Sequence, residues 1–266
     1  TGASPVVAIT FYRALLQAGN TEPIDALIDA LKRRGLNPLP LFIQSLKDVV
    51  SSSVINATLS QVPADLILNT TGFAVSAPGN ERVANPFDIA GCPVMQVCLA
   101  STTKEIWEDG NYGLVARDIA MNVALPEVDG RIFTRAIAFK TESRFDAATE
   151  ISVIKHLPVK ERINFTADFA AAHVRLRKKF AAERRVAIIL ANYPNRDGRV
   201  GNGVGLDTPE GSVNLLRALL EEGYTVRDLP CDGASLISRL LKGPTNERKK
   251  SQKVNLADIS VTQLAD

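Results

Sequence analysis

Residue types that build metal, redox and membrane sites are scarce in this sequence. Its 266 residues include three cysteines, two histidines and one tryptophan. No apolar run approaches the roughly 20 residues that a membrane-spanning helix needs. The net charge of +2 gives no reason to expect nucleic acid or a membrane as a partner. An apolar content of 45% and a charged content of 23% indicate a globular protein with room for two domains.

The few cysteines and histidines lack the spacing of a metal or redox site. Cys92, Cys98 and Cys231 are odd in number and form no CxxC pair, which is typical of core thiols in a reducing compartment. His156 and His173 show no ligand spacing with each other or with a cysteine. The chain begins without a methionine or a basic signal segment, which indicates a cut or processed chain. We therefore expect a cytoplasmic protein and no metal site within this chain.

Signatures of nucleotide binding and hydrolysis are incomplete. The dinucleotide pattern GxGxxG fails from Gly201 and from Gly203, because leucine and threonine occupy the last position. Neither a GxxxxGK phosphate loop nor a GxSxG nucleophile motif occurs. Asp197 and Asp207 form a carboxylate pair, but such residues more often form turns and helix caps than an acid–base pair. Motif spacing alone therefore predicts ligand binding without a catalytic centre.

The most informative stretch of the sequence covers residues 185–228. Residues 186–191 are apolar and β-branched, which predicts a buried strand, and residues 224–227 predict a second one. Between them, Thr208 is the predicted helix N-cap and Gly223 the predicted left-handed residue that ends the helix. This order is a βαβ-type unit.

The loop between that strand and that helix, residues 192–207, is far longer than the few residues that a strand-to-helix turn needs. Open α/β sheets place their ligands at this end of a strand, so the loop is the main candidate site. A glycine-rich loop that leads into a helix also offers free backbone N–H groups to an anion. The alternative, that these glycines only permit tight turns, stays open.

The first half of the sequence follows the same α/β pattern. Apolar runs predict strands over residues 5–11, 38–43, 65–70, 93–98 and 131–140, with a small-residue turn at 100–103. Helices are predicted to begin near Thr21, Ser45, Thr103 and Arg117. The strands ending at Phe11, Thr70 and Cys98 lead into loops, and in a parallel sheet these loops share one edge and could line a cleft.

A repeated helix pattern suggests two domains. LIDALKRRGLN (residues 27–37) and LLRALLEEGYT (215–225) share the order of apolar positions and the terminal glycine. We therefore predict an α/β fold of two Rossmann-like lobes with largely parallel sheets, joined by a long helix. Residues 1–158 form the first lobe, and residues 159–266 hold the linker helix and a second lobe that need not be complete. Independent helices of similar pattern are the open alternative.

The predicted linker helix lies within residues 158–185. Its apolar face is predicted from residues spaced at helical intervals, namely Phe165, Phe169, Ala172, Leu176 and Phe180. Its second half is crowded with arginine and lysine, which indicates either a solvated face or a docking patch for an acidic partner.

The loop sequence LANYPNRDGRVGNGVGLDTP (residues 190–209) closely resembles that of the large subunits of aerobic cobaltochelatases. FYR (11–13), AGNT (18–21) and RDIAMNVALPEVDGRI (117–132) resemble the same family, which also contains the large subunits of magnesium chelatases. The magnesium enzymes differ in the long loop, so the cobalt branch is favoured. The resemblance covers nearly the whole chain up to about Gly243.

This resemblance implies part of the tetrapyrrole- and metal-binding large subunit of an ATP-dependent cobaltochelatase, a metal–nitrogen ligase. Such a complex inserts Co²⁺ into a corrin-ring precursor of the hydrogenobyrinic acid diamide type in cobalamin biosynthesis. Separate AAA+ ATPase subunits hydrolyse the ATP, so no cofactor is expected within this chain. Family members are several times longer, which implies an interior fragment that is inactive alone and contains no catalytic residue.

Both lines of reasoning place the contacts of this chain on the long loop. A corrin precursor combines carboxylates with an apolar ring, which suits backbone donors, amide side chains and a tyrosine ring. An arginine at the matching strand end of the first lobe could add a bidentate carboxylate contact. The residues expected to bind ligand or contact a subunit are Arg13, Asn192, Tyr193, Asn195, Asn202, Gly203, Gly205, Asp207 and Thr208.

Three other interpretations remain open from the sequence. The chain could be a piece of a magnesium chelatase large subunit, or a two-lobed small-molecule binding module without catalysis. It could also be a purely structural part of the chelatase that contacts neither ligand nor partner.

Overall fold

The computed structural model describes residues 4–192 and 197–243. The chain divides into two compact units, Thr1–Lys178 and Lys179–Asp266. No helix among the described residues is long and apolar enough to cross a membrane.

The first unit is built on one six-stranded sheet. Its strands are β1 (Val6–Tyr12), β2 (Asn37–Ile43), β3 (Leu66–Asn69), β4 (Val94–Thr103), β5 (Ile132–Asp146) and β6 (Ile151–Pro158). Their order is β2-β1-β3-β4-β5-β6, and all neighbours are parallel except β5 and β6. From β1 the chain first crosses to β2 on one side of β1, and it later comes back to β3 on the other side. This reversal makes a topological switch point between β1 and β3. The predicted Rossmann-like α/β class is confirmed for this unit.

Helices cover both faces of this sheet. They are α1 (Arg13–Gln17), α2 (Glu22–Lys32), α3 (Val49–Gln61), α4 (Lys104–Asp109), α5 (Ala116–Ile119), α6 (Leu125–Val128) and α7 (Lys160–Lys178). A π-helical turn, Ala120–Ala124, joins α5 to α6, and a short 3-10 helix spans Asp88–Ala90.

The alternation of side chains along β1 explains why the sheet is covered twice. Ile9 packs in one core cluster with Leu27 of α2 and Ile163 of α7. Ala8, which points to the other face, packs in a second cluster with Ile55 of α3. A strand buried on both faces is continuously apolar, as the sequence of β1 is.

Prolines protect the edge of the sheet at β2. The backbone N–H of Asn37 donates to the carbonyl of Pro5, just before β1, at 2.7 Å. Because backbone groups alternate in direction along a strand, the backbone nitrogens at positions 38 and 40 face away from β1. Pro38 and Pro40 occupy these positions and carry no N–H group. A further strand would find few donors there, which is how natural sheets avoid edge-to-edge association.

Helix α7 belongs to the first unit, so the unit boundary lies after Lys178 rather than at the predicted position between residues 158 and 159. Its buried residues are Ile163, Thr166, Ala167, Ala170, Ala171 and Val174, which pack against α2 and the sheet. Arg34 of α2 pairs with Asp168 at 2.6 Å. The predicted aromatic face is wrong, because Phe165 is 40% exposed and the small residues allow α7 to approach closely.

Two further strand predictions differ from the structure. Strand β4 continues through Thr103, where a turn was predicted at residues 100–103, because it keeps pairing with β5 up to Lys140. The antiparallel strand β6 was not predicted at all. Its sequence contains Lys155 and His156 and lacks the strict alternation that indicates a strand.

The second unit contains α8 (Thr208–Glu221) and α9 (Gly233–Leu240), with 3-10 turns at Ala181–Glu183 and Asp197–Arg199. Among its described residues there is no strand, so the predicted strands at 186–191 and 224–227 are wrong and a second parallel sheet is not found. A strand needs a neighbour for its backbone groups. The described residues here offer only the isolated bridges Asn192–Val200 and Gly203–Leu206, and Ile189 is 93% exposed.

The limits of helix α8 nearly match the prediction. Gly223 follows it with φ of +81°, as expected of the residue that ends a helix. The N-cap is Asp207 rather than Thr208, because the Asp207 carboxylate accepts the backbone N–H of Glu210 at 3.1 Å. The repeated pattern therefore specifies similar helices, while only the first copy is followed by a strand in the described residues.

The core of the first unit predicts a clear contrast between two leucines. Leu27 of α2 is fully buried, whereas Leu16 of α1 is 49% exposed. We expect Leu27→Ala to lower the free energy of unfolding of the chain by about 2–5 kcal/mol, because it leaves a cavity. Leu16→Ala, the matched control, costs less than about 1 kcal/mol. Denaturant unfolding measures both, and equal losses would contradict the packing of α2.

Candidate functional site

A cleft of about 270 Å³ opens at the carboxyl ends of β1, β3 and β4. This is the switch-point edge, where open α/β sheets bind ligands. Its apolar lining is Leu15, Phe73, Leu99 and Met121, and its polar lining includes Tyr12, Ser101, Arg117, Asp118, Lys140 and His156. The prediction that the ends of the first, third and fourth strands share one edge and line a cleft is confirmed. The prediction that all three lead into loops is wrong for two of them, because β1 leads directly into α1 and β4 directly into α4.

Tyr12 and Gly72 form the base of this cleft. The backbone N–H of Gly72 donates to the Tyr12 hydroxyl at 3.1 Å. Burial raises the pKa of Tyr12 above its ordinary value, so the phenol stays protonated at neutral pH. A Cβ atom on Gly72 would lie 3.1 Å from the carbonyl oxygen of Met121, so only glycine fits comfortably.

The next residue, Phe73, has an unusual backbone at the rim of the cleft. Its φ is +63°, in the left-handed region that side chains rarely adopt, and its N–H donates to the carbonyl of Met121 at 3.0 Å. Such a residue stores about 1–3 kcal/mol of strain. Met121 itself lies in the π-helical turn Ala120–Ala124, a distortion that is frequent at functional sites.

Buried amides hold the end of β3 in place beneath the cleft. The Asn69 side chain accepts from the Thr10 hydroxyl at 2.7 Å and donates to Gln96 Oε1 at 2.8 Å. Gln96 Nε2 then donates to the carbonyl of Thr71 at 2.9 Å. Because these groups are buried, each bond avoids an unpaired polar atom in the core. The chain therefore leaves β3 in one defined direction.

A buried ion pair fixes the loop that follows Phe73. Arg131 Nη2 lies 2.6 Å from Asp129 Oδ2, and both side chains are almost fully inaccessible. Asp129 also accepts the backbone N–H groups of Val75 at 2.7 Å and Ser76 at 3.0 Å. Although burial opposes it, these N–H groups and Arg131 hold the pKa of Asp129 below its ordinary value. The loop 73–87 is thereby attached to the start of β5.

His156 forms one wall of the cleft. The antiparallel register places it opposite Lys140. The Asn20 side chain accepts the His156 backbone N–H at 3.0 Å and donates to the ring Nδ1 at 3.1 Å. The ring also interacts with the backbone of Ala100, which opposes the lowering of its pKa. Burial, with the nearby Lys140 charge, lowers the pKa of His156, so the ring is neutral and acts as a clamp between β6 and the turn before α2.

Charged groups of both signs complete the cleft. Asp118 is 3% exposed and its carboxylate accepts the Ser101 N–H at 2.8 Å. Arg117 and Lys140 line the same space, so cations outnumber the carboxylate. Within residues 4–192 and 197–243, no group of three or more His, Cys, Asp or Glu side chains could hold a metal ion. The cleft is suited to binding and orienting an acidic ligand.

Arg13, the expected first-lobe contact, lies outside this cleft. It begins α1, and its guanidinium donates to Gln44 Oε1 at 3.4 Å. It lines a separate cavity of about 400 Å³ beside Phe42 and Asp48. Whether it contacts a ligand stays a prediction.

The remaining expected contacts belong to the second unit. Asn192 bridges to Val200, and its Oδ1 is buried without a partner among the described residues. Asn202 is exposed. Tyr193 and Asn195 lie outside the described residues.

The glycines of this loop have conformational reasons to be glycine. A Cβ atom on Gly203 would lie 2.7 Å from the Thr208 hydroxyl, and Gly205 has φ of +75°. Asp207 caps α8 and Thr208 is its first residue. These roles agree with the turn interpretation of the glycines and leave anion binding untested.

Sequence reasoning missed Phe73, Asp118, Lys140 and His156 as cleft residues. The strand end at Thr70 indicated the correct edge of the sheet. His156 depends on β6, which the sequence pattern did not predict. Lys140 and Asp118 lie on a predicted strand and a predicted helix, but the pattern did not show that they meet at the cleft.

The prediction that the cysteines are core thiols is confirmed only in part. Burial raises the pKa of Cys92 to about 11 and that of Cys98 to about 12, so both stay as unreactive thiols. Cys231 is exposed, contrary to expectation, with its Sγ 2.9 Å from the Ser235 hydroxyl. It precedes the short helix α9, whose core contact is made instead by Leu236.

Comparison with known proteins gives consistent matches across the chain. The CobN/Magnesium Chelatase family model matches residues 1–265. The aerobic cobaltochelatase subunit CobN of a Sinorhizobium species is 49% identical over 96% of this chain and 20% of its own length. The Pseudomonas aeruginosa protein of the same name is 46% identical over 91% of this chain and 19% of its own. The chain thus spans about a fifth of the length of these relatives.

A solved structure supports the same relationship. The catalytic subunit of cobaltochelatase from Mycobacterium tuberculosis matches with a TM-score of 0.73 and 32% identity. The match covers 91% of this chain and 20% of that one.

The buried ion pair predicts that replacing one of its residues destabilises the chain more than replacing both. We expect Asp129→Ala to lower the free energy of unfolding by about 3–5 kcal/mol, because the Arg131 charge stays buried without its partner. The double variant Asp129→Ala/Arg131→Met should recover part of the lost free energy of unfolding, because it leaves no buried charge without a partner. Glu161→Ala, which removes a surface pair with Arg135, costs about 1 kcal/mol or less and is the control. If the double variant were as unstable as the single one, the ion pair would not explain the loss.

The His156 clamp predicts a dependence of stability on pH. The unfolded chain binds a proton at this ring near pH 6.5, and the folded chain only at lower pH. Its contribution to stability is therefore complete above about pH 6.5 and declines as the pH falls towards the lowered pKa. We expect His156→Gln to lose less stability than the wild type between about pH 7.5 and pH 5 in urea unfolding. His173→Gln on α7 is the control, and identical pH profiles for all three proteins would contradict the clamp.

Proposed function

Because this chain belongs to the CobN/magnesium chelatase family, we propose that it is part of the large subunit of an ATP-dependent cobaltochelatase. The complex inserts Co²⁺ into a corrin-ring precursor in cobalamin biosynthesis. The observation that carries the proposal is the identity of 49% and 46% to two aerobic cobaltochelatase subunits over more than nine-tenths of the chain. Co²⁺ and the corrin precursor are the substrates, and AAA+ subunits of the complex hydrolyse the ATP.

Within that subunit, the chain has the features of a binding part. The switch-point cleft joins apolar side chains to the cations Arg117 and Lys140. A tetrapyrrole with acidic side chains presents the complementary surface, a large apolar ring with carboxylates on its rim. Tyr12, Asp118 and His156 of the cleft are engaged in hydrogen bonds with the protein itself, which suits them to shaping a binding site. Chelation therefore requires the rest of the subunit.

The long loop and Arg13 supply a second set of contacts in this proposal. Asn192, Asn202, Gly203, Gly205, Asp207 and Thr208, with Tyr193 and Asn195, meet either the tetrapyrrole or a partner ATPase subunit. The exposed Asn202 and the guanidinium of Arg13, which has one long hydrogen bond at 3.4 Å, are open to such contacts.

A magnesium chelatase large subunit is the main rival, because the family model includes both enzymes. The high identity to cobaltochelatase subunits favours the cobalt branch. A two-lobed binding module has less support, since the second parallel sheet that suggested it is not found in the described residues. A purely structural role is the third alternative.

The proposal is tested on the full-length subunit together with its ATPase subunits. We expect ATP-dependent insertion of Co²⁺ into hydrogenobyrinic acid diamide, measured by the change in its absorbance. Mg²⁺ with a porphyrin is the parallel assay. Activity only in the latter would assign the chain to magnesium chelatase, and binding of neither macrocycle would reject both.

The second set of contacts has a test of its own. In the full-length subunit, Arg13→Ala should weaken binding of the corrin precursor, or lower the rate of chelation, by roughly 3- to 30-fold. The reason is the loss of a charge-assisted contact. Asn202→Ala should have a smaller effect in the same direction. Arg33→Ala, at the exposed C-cap of α2, is the control. If affinity and chelation both stayed at the control level, these residues would have the structural role.

A further inference from the structure

Three features typical of binding sites meet at the switch-point cleft. The sheet changes its order of connection between β1 and β3, Phe73 has a left-handed backbone, and Met121 lies in a π-helical turn. Strained residues and π-helical turns both cluster at functional sites. Here they meet at the same cleft, since Phe73 and Met121 both line it and share a hydrogen bond.

The size of the cleft limits what it can hold. Pockets that enclose whole drug-sized ligands measure about 300–1,000 Å³. At about 270 Å³ the cleft is smaller than this range. It can enclose a side group of a large ligand, while the body of the ligand stays outside.

Phe73 offers a flat apolar surface for that body. It is 53% exposed, while the hydrogen bond from its own N–H to the Met121 carbonyl holds its backbone. The loop beyond it is attached to Asp129 through Val75 and Ser76, so the strained conformation is maintained. An exposed aromatic ring in a fixed position is suited to stacking on a planar ring.

The charges inside the cleft favour a carboxylate. Arg117 and Lys140 line it, and Asp118, the one acidic side chain that the described part of the chain contributes to its lining, already accepts the Ser101 N–H. His156 is held as a neutral ring by Asn20. An incoming carboxylate therefore meets an excess of positive charge and no free histidine base.

We propose that this cleft takes one carboxylate-bearing side chain from the rim of a tetrapyrrole, with Arg117 and Lys140 binding the carboxylate and Phe73 stacking on the ring face. The inference rests on the proposed function and adds the orientation of the ligand. It assigns Phe73 and Lys140 to binding, separately from Arg13 and the long loop.

The test uses the full-length subunit and equilibrium dialysis with hydrogenobyrinic acid diamide. We expect Phe73→Ala to weaken binding by about 3- to 10-fold, the effect of losing one aromatic contact. Phe73→Gly should weaken it to the same degree, and it relieves the left-handed strain, so poor folding cannot explain its loss. Phe145→Ala, which removes an exposed phenylalanine of β5 outside the cleft, should bind like the wild type.

A second probe, the same precursor with its carboxylates esterified, tests the charge contact. Lys140→Met should weaken binding of the acid by roughly 3- to 30-fold and leave binding of the ester unchanged. Lys160→Met, at the exposed start of α7, is the control for loss of a positive charge. An equal effect of Lys140→Met on both probes would overturn the assignment of the carboxylate.

The outcomes separate this inference from the proposed function. If the wild-type subunit binds the precursor and the cleft variants match their controls, only the cleft assignment is wrong. If the wild-type subunit does not bind the precursor, the proposed function fails and the inference fails with it.

Discussion

Asp129 and Arg131 form an ion pair within the protein, and the shape of the cleft depends on it. Their charges are 2.6 Å apart and both side chains are almost inaccessible to water. A buried pair of this kind adds little net stability, because both ions lose their hydration. Its effect is to fix the loop, since Asp129 accepts the N–H groups of Val75 and Ser76 as well as the Arg131 guanidinium. These bonds hold the residues that directly follow the left-handed Phe73.

The opposite wall of the cleft is held by a neutral contact. Asn20, before α2, bonds both the backbone and the ring of His156 on β6. The two walls therefore depend on different chemistry, a charge pair on one side and an amide–imidazole pair on the other. Both contacts join residues of this unit to one another. The shape of the cleft is therefore determined by the packing of the first unit itself.

Sequence patterns predicted the elements whose structure depends on nearby residues. The first five strands and α2 were found where apolar runs, an N-terminal proline and Gly35 indicated them. Predictions that depended on distant partners failed. Residues 186–191 have the composition of a strand, but the described part of the second unit supplies no neighbour for them. Helix α7 was assigned its aromatic face, whereas its small residues, such as Ala167 and Ala170, pack against the sheet.

The sequence by itself determined the α/β class, the edge of the sheet that carries the cleft, and the family to which the chain belongs. These follow from local periodicity, from the direction of parallel strands and from long matching segments. Only the tertiary structure decided which side chains line the cleft. His156 meets Asn20 across 136 positions of sequence. Such contacts are set by the order of the strands and by the pairing of β5 with β6, and no local spacing encodes that order.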